Sequence, residues 1–255
     1  MTQDTVTRDI EVAREGAVMS VAFARPHKKN AITGAMYEAL IEAFEAAERD
    51  PDVGALVVSG KGGVFTAGND IGDFLAVASR EAADFPAWRF VSKVTEFEKP
   101  LIAAIDGLAI GVGTTLCFHC DLVYATPEAR FQMPFVNLGL VPEAGSSLLA
   151  PQRFGRARAA ELLLLAEPFG ANRALELGLI NAVLPRSELM AHAMSKAAAL
   201  AAKPRAALLA TRNLMRGDPE VLKAQMAAER HAFTAALKSP EAHAAFQAFL
   251  SGGSN

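Results

Sequence analysis

Two glycine-rich segments of this chain could present backbone amides to a ligand. They span residues 60–63 and 107–113, and each follows a short apolar run, 55–58 or 100–105, of the kind that predicts a buried strand. Neither segment fits the GxxxxGK[ST] phosphate loop or the GxGxxG dinucleotide fingerprint. Two interpretations remain open. The segments are tight strand-to-helix turns, or their amides and a helix dipole form an oxyanion hole for a carbonyl that becomes an enolate.

Glu143 is the carboxylate whose role the sequence leaves open. It follows Pro142, and residues 144–150 have the composition of a helix beginning there. Proline in the first helical position with an acidic residue behind it complements the helix dipole, which is a purely structural role. The other interpretation is proton transfer, because a carboxylate in an apolar pocket can act as a general acid or base near neutral pH.

The remaining chemistry-bearing residues favour packing over catalysis. Cys117 and Cys120 have CxxC spacing, but they lie in an apolar segment without a second pair, so we expect core positions rather than a zinc or redox site. Ser146 and Ser147 lack the GxSxG pattern of serine hydrolases. The sequence therefore predicts no metal and no redox cofactor. The histidines suggest no metal cluster either; those in polar or helical contexts are His27, His192, His231 and His243.

The elements around these residues predict an α/β fold. Alternating residues at 10–13 and 18–23 indicate a hairpin, Thr33 is a candidate N-cap, and apolar runs predict strands. The strands are expected at 55–58, 100–105 and 121–125. Three helices are expected. One follows Thr33, with an apolar face of Met36, Leu40, Ile41, Phe44 and Ala47. The second runs from a cap at Asp84 to about residue 98, with Pro86 in its first turn, and the third spans 114–120. From about residue 156 onward the pattern is almost wholly helical, so we divide the chain into a core, 1–198, and a helical segment, 199–255.

Length and composition exclude several classes of protein. The chain has 255 residues, of which 51% are hydrophobic, so it can bury a full core and is not intrinsically disordered. Its net charge of −3 argues against nucleic-acid binding, which requires clustered Lys and Arg. No apolar window is long enough to span a membrane, and neither end shows a targeting signal. Together with only two cysteines, these features predict a cytoplasmic protein.

Taken together, the motifs resemble the crotonase (enoyl-CoA hydratase/isomerase) superfamily. Residues 25–32 are similar to its N-terminal CoA-binding segment. Residues 62–71, GGVFTAGNDI, resemble its first oxyanion-hole motif, and residues 105–121, IDGLAIGVGTTLCFHCD, resemble its second. Residues 131–134 and 138–142 continue in register, and residues 174–180 look like the family's later helix and strand. The similarity covers nearly the whole chain and weakens after about Pro204.

The resemblance implies a crotonase fold, a spiral of β-β-α units with a C-terminal helical trimerisation segment, and a homotrimer or a dimer of trimers. It implies an acyl-CoA thioester as substrate, with CoA as part of that substrate and no separate cofactor. The amides of Asn69 and Val112 would stabilise the enolate oxygen. The other positions that the resemblance assigns to substrate binding are Arg25, Lys28, Asn30, Thr66, Ala67, Gly68, Asp70, Ile71, Gly111, and, along the acyl pocket, Phe135 and Leu140.

The positions at which this chain differs from the hydratases of the family predict which reaction it catalyses. Hydratases of the family have glutamates where this chain has Thr115 and Phe135, whereas Glu143 falls where peroxisomal-type enoyl-CoA isomerases have their catalytic glutamate. One base that removes a C2 proton and returns it at C4 moves a double bond from position 3 to position 2. We therefore predict an enoyl-CoA isomerase with Glu143 as the proton carrier.

Two alternatives remain. The chain is a hydratase or another crotonase-type lyase that pairs Glu143 with Asp70 or Asp73, or it is an acyl-CoA binder without catalysis. Lys28 and its neighbour Lys29 are expected to contact the CoA phosphates, although exposed lysines in a loop are commonly just solvated.

Overall fold

The computed structural model describes residues 9–72 and 85–251, in which strands and helices alternate along the first two thirds of the chain. Asp73 and the predicted cap Asp84 lie outside the described residues. The strands are β1 (Ile10–Glu15), β2 (Val18–Phe23), β3 (Ala55–Gly60), β4 (Leu101–Ile105), β5 (Leu108–Ile110), β6 (Leu122–Ala125), β7 (Arg130–Gln132), β8 (Phe169–Gly170) and β9 (Ala182–Val183). The predicted α/β class is confirmed.

A six-stranded sheet with the order β1-β2-β3-β4-β6-β9 forms the main layer. The β1–β2 hairpin is antiparallel as predicted, and the other neighbours are parallel. Helices cover both faces, which explains the continuous apolar runs of β3 and β4. Leu56 and Val58 point into the main core, whereas Ala55 and Val57 pack with a helix on the opposite face.

The helices follow the predicted order, with shifted ends in several places. They are α1 (Gly34–Arg49), α2 (Pro86–Glu96), α3 (Val112–Thr115), α4 (Ser146–Phe154), α5 (Arg156–Ala160), α6 (Ala171–Glu176), α7 (Arg186–Ala201), α8 (Arg205–Arg216), α9 (Pro219–Leu237) and α10 (Pro240–Leu250). Thr33 caps α1 by accepting a hydrogen bond from the Met36 amide at 3.3 Å, and the predicted apolar face is buried. The helix expected at 114–120 instead begins at Val112 and tightens into a 3₁₀ turn, Leu116–Phe118.

A second sheet, β5-β7-β8, has no counterpart in the sequence prediction. Its strands have two or three residues each, too few for an alternating pattern to stand out. β5 lies within the glycine-rich segment 107–113, so that segment is a strand followed by a turn rather than one continuous turn. The fold is thereby built from two sheets, and the glycine-rich segments lie where they meet.

The C-terminal helices pack onto the core. Phe233 of α9 and Phe246 of α10 belong to the same apolar cluster as Leu101, Ala103 and Ile105 of β4. Arg212 of α8 is buried, and its Nε donates to both carboxylate oxygens of Asp121 at 2.8 Å. The Asp121 carboxylate also accepts the Leu101 amide at 2.8 Å, so one ion pair links α8 to the start of β4. The boundary proposed near residue 198 stays a prediction.

Replacing Asp121 with Asn should destabilise the protein strongly. The substitution leaves the Arg212 guanidinium buried without a counter-charge, which costs about 3–5 kcal/mol when one partner of a buried pair is removed. Urea unfolding at fixed protein concentration measures the change. Glu45→Gln, which removes an exposed ion pair with Arg49, is the matched control and should change the free energy of unfolding by less than about 1 kcal/mol. Equal effects of the two substitutions would contradict the prediction.

Candidate active site

Glu143 lies on a sharp turn ahead of α4, not inside the helix. Ala144 and Gly145 both have left-handed backbones, with φ of 57° and 69°, and α4 begins at Ser146. The Glu143 carbonyl accepts hydrogen bonds from the Ser146 amide at 3.0 Å and the Ser146 hydroxyl at 2.6 Å. The interpretation of Pro142 as the first helical residue is therefore wrong: two consecutive left-handed residues delay the helix and turn the Glu143 side chain inward.

The Glu143 carboxylate is buried, with 7% of the residue exposed, and its Oε1 accepts a hydrogen bond from the Thr115 hydroxyl at 2.5 Å. Burial raises the pKa of Glu143 from 4.5 to about 7, the Thr115 hydrogen bond opposes that rise, and the negative charge of Glu229 adds to it. Both the charged and the neutral form are consequently accessible near neutral pH. A group with these properties can accept a proton and return it.

The two glycine-rich segments lie side by side. The Thr66 amide donates to the Leu108 carbonyl at 2.8 Å, and the Ile110 amide donates to the Thr66 carbonyl at 3.0 Å. Gly68 is required here, since its φ is 86° and a Cβ would lie 2.9 Å from the Ile110 carbonyl oxygen. This pairing brings the residue after Gly68 next to the turn that begins α3.

The amides of Asn69 and Val112 are available to a ligand. The amides on either side of Asn69 are used, Gly68 donating to the Thr66 hydroxyl at 3.1 Å and Asp70 to the Ile32 carbonyl at 2.9 Å. Within the described ranges, neither the Asn69 nor the Val112 amide has a hydrogen-bond acceptor in the protein. Gly111 has a φ of 58°, and a Cβ there would meet no atom within 4 Å, so the space beside it is open.

Tyr37 joins this site although the sequence prediction omitted it. Its hydroxyl donates to the Asn69 Oδ1 at 2.5 Å, and burial together with the charge of Glu143 raises its pKa. Tyr37 thus fixes the side chain of Asn69 and stays protonated. The sequence did offer a signal, because Tyr37 adds a phenol to a predicted helix face whose other members are apolar. A buried hydroxyl of this kind needs a hydrogen-bond partner.

Thr115 places Glu143 close to the free amides. Thr115 lies three residues after Val112, a rise of about 4.5 Å along a helix. Its hydroxyl holds the Glu143 carboxylate, while Tyr37 lies near enough to Glu143 for the charge of that carboxylate to raise the pKa of the phenol, and it also holds Asn69. The site therefore combines one buried carboxylate with two amides that can stabilise negative charge on an oxygen.

Several predicted binding residues hold the loops of the site together. Arg25 donates to the Asp70 carboxylate at 2.7 Å and to the Ala31 carbonyl at 3.0 Å. Asn30 is fully buried, and its amide donates to the carbonyls of Lys61 and Val64 at 3.0 and 2.6 Å. These contacts order the segment 25–32 against both flanks of the first glycine-rich motif. Their contact with a substrate stays a prediction.

Further predicted binding residues lie on the same two segments of the chain. Thr66 is buried and donates to the Asn30 carbonyl at 2.6 Å, and Ala67 donates its amide to the Lys29 carbonyl at 3.0 Å. Lys28 and Lys29 are exposed, as phosphate contacts need to be, and Ile71 is half-buried. The structure thus places all of these residues along the 25–32 and 62–71 segments.

The residues predicted to line the acyl pocket lie in the core, and an apolar cavity lies elsewhere beside Glu143. Phe135 and Leu140 are each 6% exposed and belong to the main core. A cavity of about 210 Å³ lies between α2 and α9 and reaches Ala144, next to Glu143. Its apolar walls come from Trp88, Val91, Met226 and Ala227. Phe135 and Leu140 do not line this cavity, and their acyl contacts stay a prediction.

The cysteines and His119 pack behind the site. Cys117 and Cys120 are buried, and burial raises the pKa of Cys117 to about 12, so both are core residues as expected. His119 Nε2 lies 2.8 Å from the Ala144 carbonyl oxygen, and burial lowers its pKa to about 4. The neutral ring donates to that carbonyl. Within residues 9–72 and 85–251, no three His, Cys, Asp or Glu side chains form a group that could hold a metal ion.

None of the helices in the described ranges combines the length and apolar character that crossing a bilayer requires.

The chain is similar to known proteins in both sequence and structure. A family model described as enoyl-CoA hydratase/isomerase matches residues 13–253. A 2,3-dehydroadipyl-CoA hydratase of Escherichia coli K12 is 30% identical over 95% of both chains. Enoyl-CoA delta isomerase 2 of Rattus norvegicus is 39% identical, over 71% of this chain and 47% of that protein. The solved structure of Pseudomonas aeruginosa OdaA is 41% identical, covers 96% of this chain and 99% of its own, and superposes with a TM-score of 0.91.

Replacing Thr115 with Val should raise the pKa of Glu143 further. The substitution removes the hydrogen bond that favours the ionised carboxylate, while burial and the charge of Glu229 remain. Glu143 should then lose its proton at a higher pH than in the wild type. The ¹³C chemical shift of the Glu143 carboxyl carbon, assigned with Glu143→Gln, follows the titration. Thr115→Ser keeps the hydroxyl and should titrate like the wild type; a Thr115→Val midpoint at or below the wild-type value would refute the assignment.

Proposed function

Because this chain belongs to the enoyl-CoA hydratase/isomerase family, we propose that it is an enoyl-CoA isomerase that moves a double bond from position 3 to position 2. The observation that supports this choice is the pairing of Glu143 with Thr115. The position from which a hydratase would supply a second glutamate holds a hydroxyl, and that hydroxyl binds Glu143 at 2.5 Å. Phe135 occupies the position of the other hydratase glutamate and is buried. One carboxylate is enough for isomerisation, but addition of water typically uses two.

The reaction needs one proton carrier and one oxyanion site. In the proposed mechanism, Glu143 takes the C2 proton of a 3-enoyl-CoA, and the electrons of that C–H bond delocalise into a dienolate. The amides of Asn69 and Val112 stabilise its oxygen, where the negative charge develops. Glu143 then returns the proton at C4, the double bond forms between C2 and C3, and the thioester is regenerated. No atom is gained or lost.

The pKa of Glu143 suits this role. With a pKa of about 7, the carboxylate is a stronger base than an ordinary glutamate, and its protonated form is a usable acid at the same pH. The base must be deprotonated to begin the reaction, so turnover should rise with pH through about 7. Binding of CoA would draw on the exposed Lys28 and Lys29. A trimer or a dimer of trimers is part of the same proposal, by analogy with the family.

Hydration is the second candidate, because the Escherichia coli relative that matches over 95% of both chains is a hydratase. The residues proposed to assist Glu143 offer limited support for it. Asp70 is held by Arg25 at 2.7 Å, so its carboxylate is already engaged in an ion pair. Asp73 lies outside the described residues. The Glu143 carboxylate accepts a hydrogen bond from Thr115, which is not a carboxylate. Glu229 is the carboxylate whose charge raises the pKa of Glu143, and its oxygens already accept the Gly145 amide and the amide and hydroxyl of Ser147.

Glu143→Gln should lower the turnover of a 3-enoyl-CoA by about 100-fold or more, the usual contribution of a general base. The amide keeps the shape of the side chain but cannot take the proton. Conversion to 2-enoyl-CoA is followed by ultraviolet absorbance, with folding checked by circular dichroism. Glu128→Gln, an exposed glutamate, is the control and should leave turnover unchanged. Near wild-type activity of Glu143→Gln would exclude Glu143 from the mechanism.

With 2-enoyl-CoA as the substrate, we expect little 3-hydroxyacyl-CoA, because the second carboxylate that handles water is missing from the positions of Thr115 and Phe135. Mass spectrometry in H₂¹⁸O detects the product directly. Hydration faster than isomerisation would favour the hydratase. Tight CoA-thioester binding with no turnover of either substrate would instead indicate an acyl-CoA binder.

A further inference from the structure

We propose that Glu229 of α9 is a positioning residue for Glu143: its carboxylate fixes the turn 143–147 and thereby the place from which Glu143 acts. The inference rests on the proposed function, since it concerns the same site. Glu229 is separated from Glu143 by more than eighty residues and comes from a C-terminal helix that the sequence analysis treated only as packing and assembly structure.

Glu229 closes the turn 143–147 by accepting three hydrogen bonds from it. Its Oε2 accepts the Gly145 amide at 2.6 Å, and its Oε1 accepts both the amide and the hydroxyl of Ser147 at 2.9 and 2.5 Å. Gln225, one helical turn earlier on α9, donates to the same Ser147 hydroxyl at 2.9 Å. The carboxylate thus serves as the N-terminal cap of α4, a role that no residue of α4 fills with its own side chain.

A carboxylate is specifically suited to this position. Glu229 is 5% exposed, so its charge must be satisfied within the protein, and three donors point at its two oxygens. An amide side chain would direct an NH₂ group toward the Gly145 or the Ser147 N–H, because both sides of the group face donors. Replacing Glu229 with Gln therefore keeps the size of the side chain and loses at least one of these contacts.

The turn is held from two sides. His119 donates to the carbonyl of Ala144, and Glu229 accepts the amide of the next residue, Gly145. Ala144 has a left-handed backbone, which is uncommon for a residue with a Cβ and persists only where the surroundings impose it. Glu143 immediately precedes this clamped pair. Loss of either contact, that of His119 or that of Glu229, would let this backbone move and would change the position of the Glu143 carboxylate.

The charge of Glu229 also acts on Glu143 through space. Glu143 faces Tyr37 from α1, Thr115 from α3 and Glu229 from α9, and the negative charge of Glu229 raises its pKa. Arg153 and Arg216 lower the pKa of His119, and Lys223 and Arg230 of α9 line the cavity that reaches Ala144. Removing the charge of Glu229 should consequently lower the pKa of Glu143, whereas a purely structural contact would leave it in place.

The test compares Glu229→Gln and Glu229→Ala with Glu220→Gln. Glu220 is the exposed glutamate at the start of the same helix, where it pairs with Lys223, and it is the matched control. Turnover and KM for a 3-enoyl-CoA are measured from pH 5 to 9, with the folded fraction and oligomeric state of each variant checked. The pKa of Glu143 is measured independently in the ligand-free protein by ¹³C NMR of the carboxyl carbon.

We expect kcat of Glu229→Ala to fall by about 10- to 100-fold with KM nearly unchanged, the loss that a displacement of about 1 Å causes. Glu229→Gln loses at least one contact with the turn, so its kcat should also fall below the wild-type value, and the acid limb of its kcat profile and the NMR titration of Glu143 should both move to lower pH. Glu220→Gln should match the wild type in all three readouts. Should Glu229→Ala fail to fold, Glu229→Gln decides the question.

Wild-type kcat in a folded Glu229→Gln, a Glu143 titration that stays at its wild-type pH, or a loss of activity that only follows the loss of folded protein would each overturn the proposal. The NMR measurement keeps this test separate from that of the proposed function. If Glu143→Gln remained active, the isomerase mechanism would fail while the effect of Glu229 on the Glu143 titration stood. If Glu229 had no effect on that titration, the Glu143→Gln result would be untouched.

Discussion

The Glu143 carboxylate is buried, and the elements around it supply the contacts that its burial requires. Glu143 has almost no access to water, so its charged form needs hydrogen-bond donors from the protein. The Thr115 hydroxyl supplies one donor, which is too little to cancel the effect of burial, and the pKa remains near 7. Because the hydrogen bond offsets burial only in part, Glu143 is suited to the proposed proton transfer. A fully solvated or ion-paired glutamate would hold its proton too weakly to return it.

The proposed mechanism also requires a place for negative charge on a substrate oxygen, and the region where the two sheets meet offers one. Hydrogen bonds through Thr66 align the segment that follows β3 with β5, and Gly68 approaches Ile110 closely. Within residues 9–72 and 85–251, the amides of Asn69 and of Val112 at the start of α3 have no hydrogen-bond acceptor. Backbone amides fixed in this way need no reorganisation when charge develops, which is the property that makes an oxyanion hole effective.

The C-terminal helices contribute to the same site from a distance. The ion pair between Arg212 and Asp121 anchors α8 to β4, and Glu229 of α9 caps the turn after Glu143. α9 therefore contributes both to stability and to the geometry of the candidate site, because it buries Phe233 in the main core and carries the carboxylate that holds the turn after Glu143. A segment that the family resemblance associates with assembly also supports the proposed chemistry.

Residue types and spacing along the chain predicted the α/β class, most element positions, the glycine-rich motifs and Glu143 as a candidate, and they pointed to the family through resemblance. These features are local, since apolar periodicity, capping residues and glycine spacing act within a few residues of the chain. The same patterns missed the short strands β5, β7 and β8 and misplaced the start of α4. The positions of Glu143 ahead of α4, of Thr115 and Tyr37 at the site, and of Glu229 against the turn 143–147 are visible only in the folded structure. Those contacts join residues 28 to 84 positions apart, and burial, which sets the pKa of Glu143, depends on the packing of the whole chain.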